Sequence, residues 1–239
     1  MRPMFEQIDT CATPIGQVTL RRRRIPGLTD DDIYEVKLGD EFLMSSLFVK
    51  AEEALSDLGL AALDDRPADI VVGGLGLGYT AVAALKHEKV RDMLVVELLE
   101  PVIEWHKNED VPLGAILNAD PRNRYVQGSF FDLAKGQPTG FDPDYPGRVF
   151  DAILLDIDHS PSALLNAANA SFYQTDTLTA MAKQLRAQGV FALWSNEPPA
   201  DDFTAKLKTV FASVETHIIR FYNPFQNNEA TATVYVAVK

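Results

Sequence analysis

Three groups of residues have types and spacing suited to chemistry. The first is Val71-Val72-Gly73-Gly74-Leu75-Gly76-Leu77-Gly78-Tyr79-Thr80, with four glycines in six residues. It follows a short apolar strand, Ile70-Val71-Val72, and opens a helix-like segment at Tyr79–His87. Glycine lets a chain turn sharply and lets a ligand approach the backbone, so Gly74, Gly76 and Gly78 are expected to line a cofactor. Position 79 is tyrosine, where the dinucleotide pattern G-x-G-x-x-G needs glycine, and no Gly-Lys-Ser/Thr follows as in a phosphate loop. The second group centres on Glu97, at the end of the next strand and 19 residues after Gly78. A carboxylate there can accept hydrogen bonds from both hydroxyls of a ribose. Loop and carboxylate together predict an adenosine-type ligand without a pyrophosphate, which points to S-adenosylmethionine or a relative. The third group is Asp156-Ile157-Asp158-His159-Ser160-Pro161, directly after the apolar strand Val149–Asp156. Ligands of open α/β sheets bind beyond the carboxyl ends of the strands, so Asp156 is aimed at the crevice. A carboxylate there can hold a cationic amine and take its proton. Asp158 is explained equally well as a helper or as a turn residue. His159 has no second histidine at metal-ligand spacing, and no metal is expected.

The elements that must position these residues follow from the hydrophobic pattern. From Ala68 onward strands alternate with helices: strands at 70–72, 93–97, 124–127, 149–156 and 190–194, and helices at 79–87, 101–108, 173–187 and 201–211. Alternation predicts a mostly parallel sheet covered on both faces. The last two strands, His217–Tyr222 and Ala230–Val238, leave no room for a crossover and must form an antiparallel hairpin. Ahead of Ala68, Gln17–Arg23 and Ile33–Leu38 read as a β-hairpin, and Asp40–Leu58 has apolar residues at helical spacing. The expected division is a small N-terminal hairpin region over residues 1–40 and one α/β domain over 41–239.

Composition narrows the partners. The 239 residues carry 34 acidic and 22 basic side chains, a formal charge of −12. Nucleic acid and anionic membranes both demand a positive footprint, so neither is expected as a partner, whereas a small cationic amine suits an acidic protein. Arg21–Arg24 reads as a solvated strand screened by Asp30–Asp32. One cysteine, Cys11, excludes an internal disulfide. No apolar run reaches membrane-spanning length and MRPMFEQIDT has no signal-peptide core, so a soluble, cytoplasmic chain is expected.

Residues 68–161, and more loosely 33–238, resemble the spermidine synthase (polyamine aminopropyltransferase) family, on the Rossmann-like class I methyltransferase fold. Asp40-Glu41-Phe42 resembles the start of that family's first helix, Gly73–Gly78 its glycine loop, and Val96-Glu97 with Pro101-Val102-Ile103-Glu104 its ribose-binding strand end. Gly128-Ser129 stands where the family contacts adenine, and Asp156 on the aspartate that engages the substrate amine. The resemblance implies a seven-stranded, mostly parallel sheet and a small N-terminal β region. It implies transfer of an aminopropyl group from decarboxylated S-adenosylmethionine to a small polyamine, with methylthioadenosine leaving, and a dimer or tetramer. It implies donor contacts at Gly74, Gly76, Gly78, Glu97, Leu98, Gly128 and Ser129. Four departures stand out: Gly76 replaces a loop aspartate, Ser129 an aspartate near adenine, Leu99 another acid, and Met44-Ser45-Ser46 a polar substrate-facing group. On the acceptor side Asp156, Asp158, Tyr173, Trp194 and Glu197 are the candidates, all near carboxyl ends of strands or the loops after them; core packing explains Tyr173 and Trp194 equally well. Two other readings stay open: a small-molecule methyltransferase using S-adenosylmethionine, and an adenosyl-metabolite binding protein without chemistry.

Overall fold

The computed structural model of the protein describes residues 4–29, 31–136 and 139–239. Its main sheet has seven strands, in chain order β5 (Ala68–Gly73), β6 (Val90–Glu97), β7 (Asn123–Gln127), β8 (Phe150–Leu155), β9 (Leu185–Ser195), β10 (Ser213–Asn223) and β11 (Asn228–Val238). Their spatial order is β10-β11-β9-β8-β5-β6-β7. Pairings from β7 across to β9 are parallel, and β11 runs antiparallel to both β9 and β10. The expected hairpin is therefore present, with its second strand inserted next to β9. All six residues of β5 are buried, as a central parallel strand covered on both faces requires. The chain leaves β5 in one direction to β6 and later returns on its other side to β8. The crevice at that reversal is where open α/β sheets bind ligands.

An apolar layer covers each face of this sheet. One face carries α1 (Lys50–Ala61), α2 (Tyr79–Leu85), α3 (Glu100–Lys107) and α4 (Gly114–Ala119), packed on Ile70, Val72, Met93, Val95, Leu154 and Ala192. The other carries α5 (Phe130–Leu133), α6 (Thr175–Ala182) and α7 (Asp201–Val210) over a phenylalanine-rich core that includes Phe130, Phe141, Phe150, Phe172 and Phe191. At the end of the sheet away from the crevice, Asp69 is buried among Arg91, Arg186 and Arg148, at 2.7, 3.1 and 3.4 Å. Burial pushes its carboxyl up, but the hydrogen bonds of Arg91 and Arg186 and the charge of Arg148 prevail and hold it at about 2. Among the described residues no helix is long and apolar enough to cross a membrane.

Three sequence-based expectations need correction. The expected N-terminal hairpin is present as β2 (Gly16–Arg23) paired antiparallel with β3 (Ile33–Leu38), but it is the middle of a four-stranded sheet whose edges are β1 (Phe5–Thr13) and β4 (Glu41–Ser45). β1 escapes the pattern because its residues do not alternate cleanly and a register shift interrupts its pairing between Gln7 and Asp9. The first helix begins at Lys50, not Asp40, because residues 41–45 pair with β3 instead. The hydroxyls of Ser46 and Ser45 accept the amides of Tyr34 and Leu47 at 3.0 and 3.2 Å, favouring an irregular exit over a helix. Finally, the helix expected over 173–187 ends at Ala182, because Leu185 already pairs with Phe150 as β9 begins. The N-terminal arginines are paired: Arg21 and Arg23 flank the buried Glu35, while Arg22 and Arg24 reach Asp32. Asp30 lies outside the described residues.

Candidate functional site

A cavity opens between the carboxyl ends of the central strands and the N-terminal sheet. It is open to solvent, and the space within and just outside it amounts to about 1210 Å³. Its wall brings together seven of the residues picked out from the sequence: Gly74, Gly76, Glu97, Leu98, Ser129, Asp156 and Trp194.

The glycine loop is held from three sides. Gly74 (φ +93°) donates to Val96 O at 2.9 Å, and a Cβ there would collide with the carbonyl of Asp156. Gly76 (φ +48°) lies in the left-handed region, and its missing side chain leaves room for Met44 Sδ. The same sulfur receives the Leu77 amide at 3.0 Å. Behind the loop, His106 Nε2 lies 3.0 Å from Gly76 O. Burial depresses its imidazole to about 4 against the opposing pull of that carbonyl, so the ring is neutral and Nε2–H donates. Gly78 caps α2 at φ +91° and faces His106 and Leu117 rather than the cavity.

Glu97 closes β6 with both carboxylate oxygens engaged. Oε2 accepts the Leu75 amide at 2.9 Å and Oε1 the Leu99 amide at 2.8 Å. Burial raises its proton affinity and these amides pull it back. The carboxylate therefore ties the glycine loop to the turn before α3 and keeps lone pairs for a ligand. Ser129 receives the Asp132 amide at 3.3 Å as the cap of α5, and Ser129, Phe130 and Phe131 wall the same end of the cavity. Gly128 donates to Glu97 O at 2.9 Å but does not line the cavity.

Asp156 leaves β8 toward α2, where Thr80 Oγ1 donates to its Oδ2 at 2.6 Å. A carboxylate that the sequence did not single out, Glu52 of α1, lines the cavity with it. Burial raises both, Asp156 to about 6 and Glu52, which also faces the Asp156 charge, to about 8. Tyr79 and Trp194 border the same region, and Leu43 and Met44 bring the N-terminal sheet to it. Among the described residues, neither lysine nor arginine lines the cavity.

The remaining candidates lie away from this centre. Asp158 is buried and organises the segment after β8: it accepts from Leu165 N at 2.8 Å, Asn169 Nδ2 at 2.9 Å and Tyr173 OH at 2.9 Å. Tyr173 packs in the aromatic core. Glu197 is exposed and accepts from Ser160 Oγ at 2.7 Å and Ser162 Oγ at 2.5 Å, clasping the loop from outside. His159, by contrast, lines the cavity and lies 3.1 Å from Glu41.

No protein-family model matches the chain, and no curated protein matches it by sequence. Solved structures do. The spermidine synthase of Thermotoga maritima superposes with a TM-score of 0.73 at 17% identity, covering 98% of this chain and 72% of that one. A spermidine synthase in complex with the transition-state analogue AdoDATO gives 0.74 at 17% identity, covering 98% and 73%. Over nearly its whole length the chain has the fold of the spermidine synthases.

Proposed function

We propose that the chain is a transferase that binds decarboxylated S-adenosylmethionine and moves its aminopropyl group to an amine. One observation carries this reading: the cavity at the switch point of the sheet presents Glu52, Glu97 and Asp156, with no lysine or arginine on its wall among the described residues. A sulfonium donor with an ammonium arm suits such a wall. A donor that kept its carboxylate would bury that charge without a cation, which is costly. The shared fold, in which a related structure holds a transition-state analogue, supports the same reading.

Each residue then has a task. Glu97 accepts the ribose hydroxyls, and Leu98, Ser129 and Phe130 flank the adenine. The glycine loop lets the sulfonium pass close to the backbone. Asp156, oriented by Thr80, takes a proton from the acceptor ammonium. The freed amine nitrogen attacks the aminopropyl carbon bonded to sulfur, the carbon–sulfur pair returns to sulfur, and methylthioadenosine leaves. Most of the acceleration comes from holding the two reactants in line. Incubation with decarboxylated S-adenosylmethionine and a panel of amines should release methylthioadenosine. Asp156→Asn should slow this about 10²–10³-fold, the range for removing a positioned base. Release of S-adenosylhomocysteine from ordinary S-adenosylmethionine instead would establish methyl transfer and overturn the reading.

A further inference from the structure

We propose that Glu52 is a second substrate-binding carboxylate beside Asp156, and that the acceptor is a monoamine with an apolar body rather than a polyamine. This inference rests on the aminopropyl-transfer reading of the cavity.

The carboxylates on the wall limit how many ammonium groups the cavity can hold. Two amino groups must sit near the reacting carbon: the ammonium on the far end of the donor's aminopropyl arm, and the acceptor nitrogen. Two carboxylates are available there, Glu52 on α1 and Asp156 after β8. The third carboxylate on the wall, Glu97, lies at the end of β6, where the Leu75 and Leu99 amides orient it and the donor's ribose takes its remaining lone pairs. The glycine loop offers no acid, because Gly76 cannot carry a side chain where Met44 Sδ sits. Glu41 does not line the cavity and is engaged by His159. A diamine or polyamine would bring a further ammonium into the cavity, with no carboxylate on its wall left to receive it among the described residues. A buried unpaired charge is disfavoured far more than a methyl group in the same place. What remains of the wall is apolar, with Leu43, Met44, Tyr79 and Trp194 at hand for a hydrocarbon body. Glu52 also faces the Asp156 charge, and two ammonium groups brought to this pair favour the ionised form of both carboxyls. As the acceptor loses its proton to Asp156, the free amine attacks carbon and the product leaves as a secondary ammonium.

The test is calorimetry on the intact protein preloaded with methylthioadenosine, titrated with pentylamine and with its diamine counterpart cadaverine. Pentylamine should bind at least about tenfold tighter, and Glu52→Gln should weaken it about 10–100-fold, the worth of one charge-assisted hydrogen bond. Methylthioadenosine itself should bind the Glu52→Gln variant as it binds the wild type, which shows that the variant is folded. Equal or tighter binding of cadaverine, no binding of either amine, or pentylamine binding indifferent to Glu52→Gln would each overturn the inference while leaving the donor site standing. Failure of methylthioadenosine to bind the wild type would instead bring down the transferase reading on which it rests.

Discussion

Replacing Glu52 by glutamine should raise stability in alkali and scarcely change it in acid. Burial holds this carboxyl protonated up to about 8, against an ordinary value of 4.5. A carboxyl whose value is higher folded than unfolded binds its proton more tightly in the native state. The group therefore costs nothing below about 4.5, costs progressively more as pH rises, and reaches its full cost above about 8. The interval corresponds to at most about 5 kcal/mol. The cavity is open to water and Asp156 shares the local charge, so about 2 kcal/mol is the magnitude expected. For a domain of this size each kcal/mol moves Tm by about 2–4 °C. Glu52→Gln should thus melt about 4–8 °C above the wild type near pH 9 and within about 1–2 °C near pH 5. Scanning calorimetry on both proteins across that range decides it. An equal difference at the two ends, or a lower Tm for the variant near pH 9, would refute the claim that burial raises this carboxyl.

Gly76→Ala should destabilise the protein by about 1–3 kcal/mol and weaken adenosyl binding, through the left-handed backbone and the collision with Met44. Adding Met44→Ala should restore part of that loss, as thermal melts of the double variant would show. Asp69→Ala should cost about 1–2 kcal/mol in denaturant unfolding, because Arg91 loses the carboxylate it bridges while Arg186 keeps Asp151 and Arg148 keeps Asp92 and Asp142. Asp69 is depressed when folded, so the stability it supplies is present above its ordinary 3.8 and fades as pH falls toward about 2; an acid titration of the variant should lack that component.

Much of the fold was legible because its signals are local. The strands at β5, β6 and β8 are nearly unbroken apolar runs, and burial on both faces leaves them no other pattern. The glycine loop announced itself because a strand-to-helix turn seldom needs four glycines. Glu52 was not legible. It stands beside Glu53 in the first turn of a helix, where acids are ordinary complements of the helix dipole, and only the packing of α1 on α2 and the sheet turns it into the cavity. Met44 fell in a segment with helical spacing and drew notice only as an apolar departure at a substrate-facing position of the resemblance. Pairing of β4 with β3 is what delivers its sulfur to the loop, a contact 33 residues apart in sequence. Asp158 and Glu197 share the residue types and loop positions of ligand-binding acids. Their hydrogen bonds to Tyr173, Ser160 and Ser162 are long-range facts that no spacing encodes.

The central claim is that the cavity takes an adenosyl sulfonium lacking a carboxylate, with Glu97 on its ribose. Titration calorimetry with decarboxylated S-adenosylmethionine and ordinary S-adenosylmethionine, on the wild type and Glu97→Ala, tests it most directly. The decarboxylated donor should bind at least about tenfold tighter than its parent, and Glu97→Ala should weaken both about 10–100-fold, as loss of charged hydrogen bonds does. Equal or tighter binding of the carboxylated compound, or binding unaffected by Glu97→Ala, would contradict the account.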